Sequence, residues 1–174
     1  MKTLITLTTA SLLFLAGPAH SQAPSDAQIA SIVVTANQVD IDAGKLAESK
    51  GSTADVKSFA KQMVTDHSGV NKQAVALVTR LKVTPEDNAT SKSLSAGGQD
   101  NLKKLKGLSG AAFDRAYIDH EVAYHEQVIE ALDKALIPNA QNAELKNLLT
   151  AVRPAFVAHL DHAKSLQAAL AKKS

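Results

Sequence analysis

The chain has no cysteine and only 3% aromatic residues in its 174 positions, and no long apolar run follows its N-terminal segment. Without cysteine there is no disulfide, no site for a lipid anchor, no thiolate for an iron–sulfur or soft cuprous centre, and no Cys-x-x-Cys-His for attaching haem. Few aromatics leave little to line a haem pocket. The charge is also close to balanced: a formal net of +2, part of it from Lys2. That argues against nucleic acid or an anionic membrane surface as partner. Eight Gly and five Pro interrupt the chain rarely, and no window alternates with period two long enough to make a strand.

Alanine, leucine and lysine are abundant, and the N-terminus is distinctive. Lys2 precedes an apolar run from Leu4 to Leu15 and a small-residue exit at Ala19-His20-Ser21. That is the pattern of a secretory signal peptide covering residues 1–21, with cleavage expected after Ser21. A membrane span needs roughly 20 apolar residues, more than this run has. The expectation is export to the periplasm or beyond, as one domain over residues 22–174 with a single core and no lipid anchor.

Helix signals punctuate the rest. Ser25 with Gln28 reads as a capping box opening a helix to about Ser49. A second helix, capped by Ser52 or Thr53, runs to about Lys82 before Pro85. A short third helix covers Thr90 to Lys106, weakened by Gly97-Gly98. Ser109 caps a fourth that reaches Leu136, and a fifth spans Asn142 to Ala171, with a kink expected near Thr150 to Pro154. Tight turns make antiparallel hairpins of helices 1 and 2 and of helices 4 and 5. The stretch between the hairpins is long enough to return along the molecule and set helices 2 and 4 parallel. The expected fold is all-α: a ferritin-like four-helix bundle with one long crossover, the short helix riding on it.

Against this pattern, five ionisable residues fall where the helical wheels are apolar: Asp40, His67, Glu121, His125 and His159. Each lies within about three positions of its helix midpoint, a spread of about 5 Å along the axis at 1.5 Å per residue. In a bundle with helices 8 to 10 Å apart they meet in one layer. His120 and His162 lie on the edges of their stripes and are held in reserve.

Burying such groups unpaired is costly, so the layer must be neutralised by pairing, water or a metal. In a purely structural network, Asp40 and Glu121 accept from imidazole N–H groups, and Tyr117 or Tyr124 adds a hydroxyl. In a metal centre, the same histidines and carboxylates hold one zinc, iron, copper or nickel ion, whereas calcium or magnesium would want more oxygens. The layer lacks the Glu-x-x-His pairs of di-iron bundles: Val64, Val122 and Phe156 stand three residues before His67, His125 and His159. Ferroxidase chemistry therefore does not carry over.

Three blocks are also familiar: residues 59–67 (FAKQMVTDH), Phe113-Asp114-Arg115-Ala116-Tyr117 followed by His125, and Ala158-His159-Leu160. They resemble bacterial domain-of-unknown-function family 4142, and the likeness spans about Ser25 to Leu170. The resemblance implies an exported, ferritin-like bundle without an established activity. It also implies that Asp66, His67, His125, His159 and Leu160 are recurring positions, with Asp40 standing where relatives more usually have glutamate. Members are often labelled outer-membrane proteins, but a barrel needs many alternating strands and this sequence has none to offer. Three functional expectations follow: a metal-binding protein in metal handling or stress tolerance, a non-enzymatic interaction module whose polar layer fixes helix packing, or a small hydrolase or oxidase with an open metal position. The sequence names no protein partner.

Overall fold

The computed structural model describes residues 23–172; the expected signal peptide lies outside them. The fold is an all-α bundle of α1 (Asp26–Lys50), α2 (Ala54–Arg80), α3 (Ala89–Lys106), α4 (Gly110–Ala131) and α5 (Ala143–Ala171). Most of these helices start where polar side chains satisfy orphan amides. The Ser25 hydroxyl accepts from Gln28 N and the Gln28 side chain accepts from Ser25 N, completing the expected box. Thr53 caps α2, Asn88 caps α3 and Asn142 caps α5. Ser109 departs from expectation: it holds the cap position of α4 but makes no side-chain cap bond. The turn into α4 comes instead from Gly110, at φ +56°, where a side chain would be strained.

Two buried or bridging aspartates set the topology. At one end Asp26, in the first turn of α1, accepts from the amides of Gln141 and Asn142, each at 2.9 Å, which ties the start of α5 to the start of α1. At the other end the fully buried Asp114 of α4 accepts from Ser52 N (2.8 Å), Ser52 Oγ (2.7 Å) and Thr53 N (3.0 Å). One carboxylate from the second hairpin thus caps the turn of the first. Lys50 Nζ donates to Lys106 O at 2.7 Å, so α1 and α3 end together and run parallel. The crossover returns the chain to the end where α2 begins, and α2 and α4 are parallel, as the connection lengths predict.

α3 lies outside the four-helix ring, against α1, and buries only Ser91, Gly98 and Leu105. The glycine pair that weakens it on propensity grounds has a split role. At Gly98 an added Cβ would sit 2.7 Å from Val39 Cγ2, so the missing side chain is what lets α3 approach α1; at Gly97 there is open space.

The helix endings differ in detail from the sequence reading. α4 does not continue regularly to Leu136 but passes into a π-helical turn, Leu132–Leu136, and a last turn, Ile137–Asn139. Pro138 is the cause: its ring would collide with the carbonyl four residues back, and the wider turn, closed by Ile137 N to Leu132 O, relieves that clash. Asn139 Nδ2 then donates to the Ala135 carbonyl at 2.8 Å. α2 stops at Arg80 rather than Lys82, because Lys82 takes a left-handed φ of 54°. α5 runs without a break through Pro154.

The core is split in two. One cluster includes Ile29, Leu77, Leu132, Leu149 and Phe156; the other includes Ala47, Phe59, Met63, Phe113, Tyr117 and Ala163. Between them, at mid-bundle, lie the polar residues.

Replacing Gly97 by alanine should stabilise the protein by about 0.5–1 kcal/mol through helix propensity. The same change at Gly98 should destabilise it by about 1–3 kcal/mol through overpacking against Val39. Urea denaturation of both variants, compared with the parent, measures the two opposite signs.

Candidate metal centre

Four helices deliver the layer: α1 supplies Asp40, α2 His67, α4 Glu121 and His125, and α5 His159. All five residues are at most 2% exposed. The one-turn spacing of Glu121 and His125 puts both on the inner face of α4. The three imidazoles form a triangle, with centroids 5.6 Å apart for His67–His125, 5.3 Å for His67–His159 and 5.5 Å for His125–His159. Phe156 stacks on His67 at 5.0 Å and closes the apolar side.

Hydrogen bonds behind the rings fix which nitrogens are free. Asn37 Nδ2 donates to the Val33 carbonyl, so its Oδ1 faces His67 Nδ1 at 2.6 Å. An amide oxygen only accepts, so His67 carries its proton on Nδ1 and its lone pair on Nε2. His125 Nδ1 donates to the Glu121 carbonyl at 3.0 Å, which leaves the lone pair on Nε2. His159 Nε2 donates to Asp66 Oδ2 at 2.9 Å, which leaves it on Nδ1. The three nitrogens left over, His67 Nε2, His125 Nε2 and His159 Nδ1, are buried and have no hydrogen-bond partner.

This is not the network expected of a purely structural layer. The ring N–H groups go to Asn37, the Glu121 backbone and Asp66 rather than to Asp40 and the Glu121 carboxyl, although those carboxyls lie close, with His67 Nε2 to Asp40 Oδ2 at 3.4 Å and His125 Nδ1 to Glu121 Oε2 at 3.6 Å. Nor do the tyrosines help. Tyr124 donates to the Ala36 carbonyl, and the buried Tyr117 hydroxyl has no protein partner.

Burial drives the electrostatics toward neutrality. It pushes the Asp40 carboxyl up to about 7, against the hydrogen bond from Glu121, which lowers it. Glu121 is held well above the ordinary carboxyl value by burial first, then by the charge of Asp40 and by donating to it. Burial lowers His125 to about 4 and His67 well below the usual imidazole value, and the neighbouring rings add to both shifts. His159 is lowered by burial, partly offset by Asp66. Neutral imidazoles with their lone pairs available are the state in which histidine ligates a metal.

These residues could hold an ion. One donor atom each from His67, His125 and His159 lie within 4.8 Å of one another, and the same holds for Asp40, Glu121 and His125. A tetrahedral ion with bonds of about 2.0 Å needs donors about 3.3 Å apart. On binding an ion the donors would have to close from separations of up to 4.8 Å to that spacing. The outer acceptors match what ligating histidines require of their second nitrogen.

Asp66, the aspartate of the resemblance's Asp-His pair, takes part through His159, whereas the reserve residues His120 and His162 do not. His120 stacks on Tyr124 and His162 is exposed, its Nδ1 3.3 Å from Gln62 Oε1. Neither belongs to a donor cluster among the described residues. The sequence reading missed Asn37, although a buried amide three residues before Asp40 on the apolar face of α1 was a visible signal.

The architecture and site define a class: a helical bundle with a histidine and carboxyl layer through its middle. A family model described as "Domain of unknown function (DUF4142)" matches residues 15–166, and the chain belongs to that family. No curated protein and no solved structure matches it.

The pH response of the metal-free protein follows from Glu121. Its folded pKa lies above its unfolded value, so between the two the folded chain keeps a proton that the unfolded chain has released, and stability falls as pH rises. Glu121→Gln removes that dependence. The variant's stability relative to the parent should therefore increase from about pH 5 to about pH 8. Urea titrations at each pH test this, and a pH-independent difference would mean that Glu121 ionises normally.

Proposed function

We propose that this is an exported helical-bundle protein that binds one transition-metal ion through His67, His125 and His159, with Asp40 and Glu121 beside the ion, and that it serves in metal handling or stress tolerance. The observation that carries the reading is the set of three buried, unpartnered ring nitrogens, each freed by a hydrogen bond on the opposite side of its ring. A layer that served only helix packing would gain by spending those lone pairs on protein donors. The donor chemistry suits zinc, iron, copper or nickel rather than calcium or magnesium. Export is supported by the N-terminal pattern of charge, apolar run and small-residue exit. No described helix is long and apolar enough to cross a membrane.

Protein stripped with a chelator and reloaded with zinc, ferrous iron, copper or nickel should retain about one equivalent of at least one of them by elemental analysis. His125→Ala should abolish retention and His120→Ala should not. Asp66→Asn should weaken affinity by roughly 10- to 100-fold, the usual cost of losing a ligand's outer acceptor. Uptake of none of the four metals by correctly folded protein overturns the reading.

A further inference from the structure

Beside the polar layer, in the half of the bundle nearer the start of α1, lies a cavity of about 220 Å³. Its walls are apolar, with Ile32, Leu132, Leu149, Val152 and Phe156 among them. Its outer rim includes Thr90 and Gln127, both exposed, and the half-buried Leu94, so it reaches the surface between α3 and α4. Its inner end includes Asp40 and His67.

Two of the polar groups lining the inner part are already committed. The Asn37 amide is used on Val33 and His67, and the Tyr124 hydroxyl on the Ala36 carbonyl. Asp40 Oδ1 and His67 Nε2 are not: each is buried without a hydrogen-bond partner. An apolar space ending on two unsatisfied polar atoms is the usual form of a small-molecule site, in which the walls supply affinity and a few polar groups fix orientation. Its size sets the class of guest. Drug-sized ligands occupy roughly 300–1,000 Å³, whereas a dry apolar cavity of about 150 Å³ holds benzene. A hydroxyl is the neutral group that serves both atoms at once: it donates to the His67 lone pair and accepts from Asp40 when that carboxyl carries its proton on Oδ1.

We propose that this cavity binds a small ring or short branched chain bearing one hydroxyl, the apolar body among the α4 and α5 side chains and the hydroxyl at Asp40 and His67. The site shares His67 Nε2 with the metal centre, so guest and ion compete for that nitrogen, but no ion is needed for the guest to bind.

Calorimetric titration of p-cresol and toluene into the full chain after chelator treatment tests this, since metal content then plays no part. p-Cresol should bind at a single site, roughly tenfold more tightly than toluene, as expected of one hydrogen bond to an otherwise unsatisfied buried group. Ala131→Phe, which fills the cavity from α4, should weaken p-cresol at least tenfold. If that variant fails to fold, Ala36→Leu fills the same space from α1. Nuclear Overhauser contacts from the cresol methyl to the methyls of Leu132 and Leu149 locate the guest. No binding, binding undiminished by the filling variant, or contacts elsewhere on the bundle overturns the proposal. Equal affinity for toluene overturns the role given to Asp40 and His67. Because chelated protein is used, failure here leaves the metal reading standing, and failure to load metal leaves this one standing.

Discussion

Everything in this bundle is arranged around the cost of putting five ionisable groups in one water-poor layer. Burial pushes both carboxyls toward their protonated form and the three imidazoles toward neutrality, and each ring directs its N–H away from the centre. None of this would hold if the helices slid by a turn, a shift of about 5.4 Å that would bring apolar residues opposite the polar ones. Register is therefore the property the rest of the fold must protect. Asp26 and Asp114 do so from opposite ends, each accepting from the backbone of a different part of the chain.

The two half-cores follow from the same constraint. Apolar side chains cannot fill the mid-bundle level, so they gather above and below it, and each hairpin contributes to both clusters. The layer is thus a seam held by the packing on either side, and its geometry inherits the rigidity of both. Truncating an imidazole here would leave the surrounding acceptors and the carboxyl pair facing a void, a change unlike the same truncation at the surface.

Much of this was legible in the sequence because it is periodic. The helices, their pairing, the parallel run of α2 and α4, and the depth shared by Asp40, His67, Glu121, His125 and His159 all follow from spacing and connection length. What spacing does not encode is partner choice. A wheel places Asn37 and Asp66 on faces, but not against His67 and His159; nor does it say that Tyr124 reaches for Ala36 rather than a carboxyl. The π-helical turn depends on a steric event at Pro138, and Gly98 reads as a weak helix residue until Val39 is seen beneath it. Ser109 shows the reverse error, a residue of the right type whose hydroxyl makes no bond.

The external position of α3 separates two tasks onto different parts of the chain. The rim of the apolar cavity uses Thr90 and Leu94 on this helix, while its inner end uses Asp40 on α1 and His67 on α2. α3 buries so little that its outer residues can be exchanged without disturbing what the bundle needs to stand. A change at Thr90 or Leu94 would therefore reshape the entrance of the cavity while leaving Asp40 and His67 at its inner end in place.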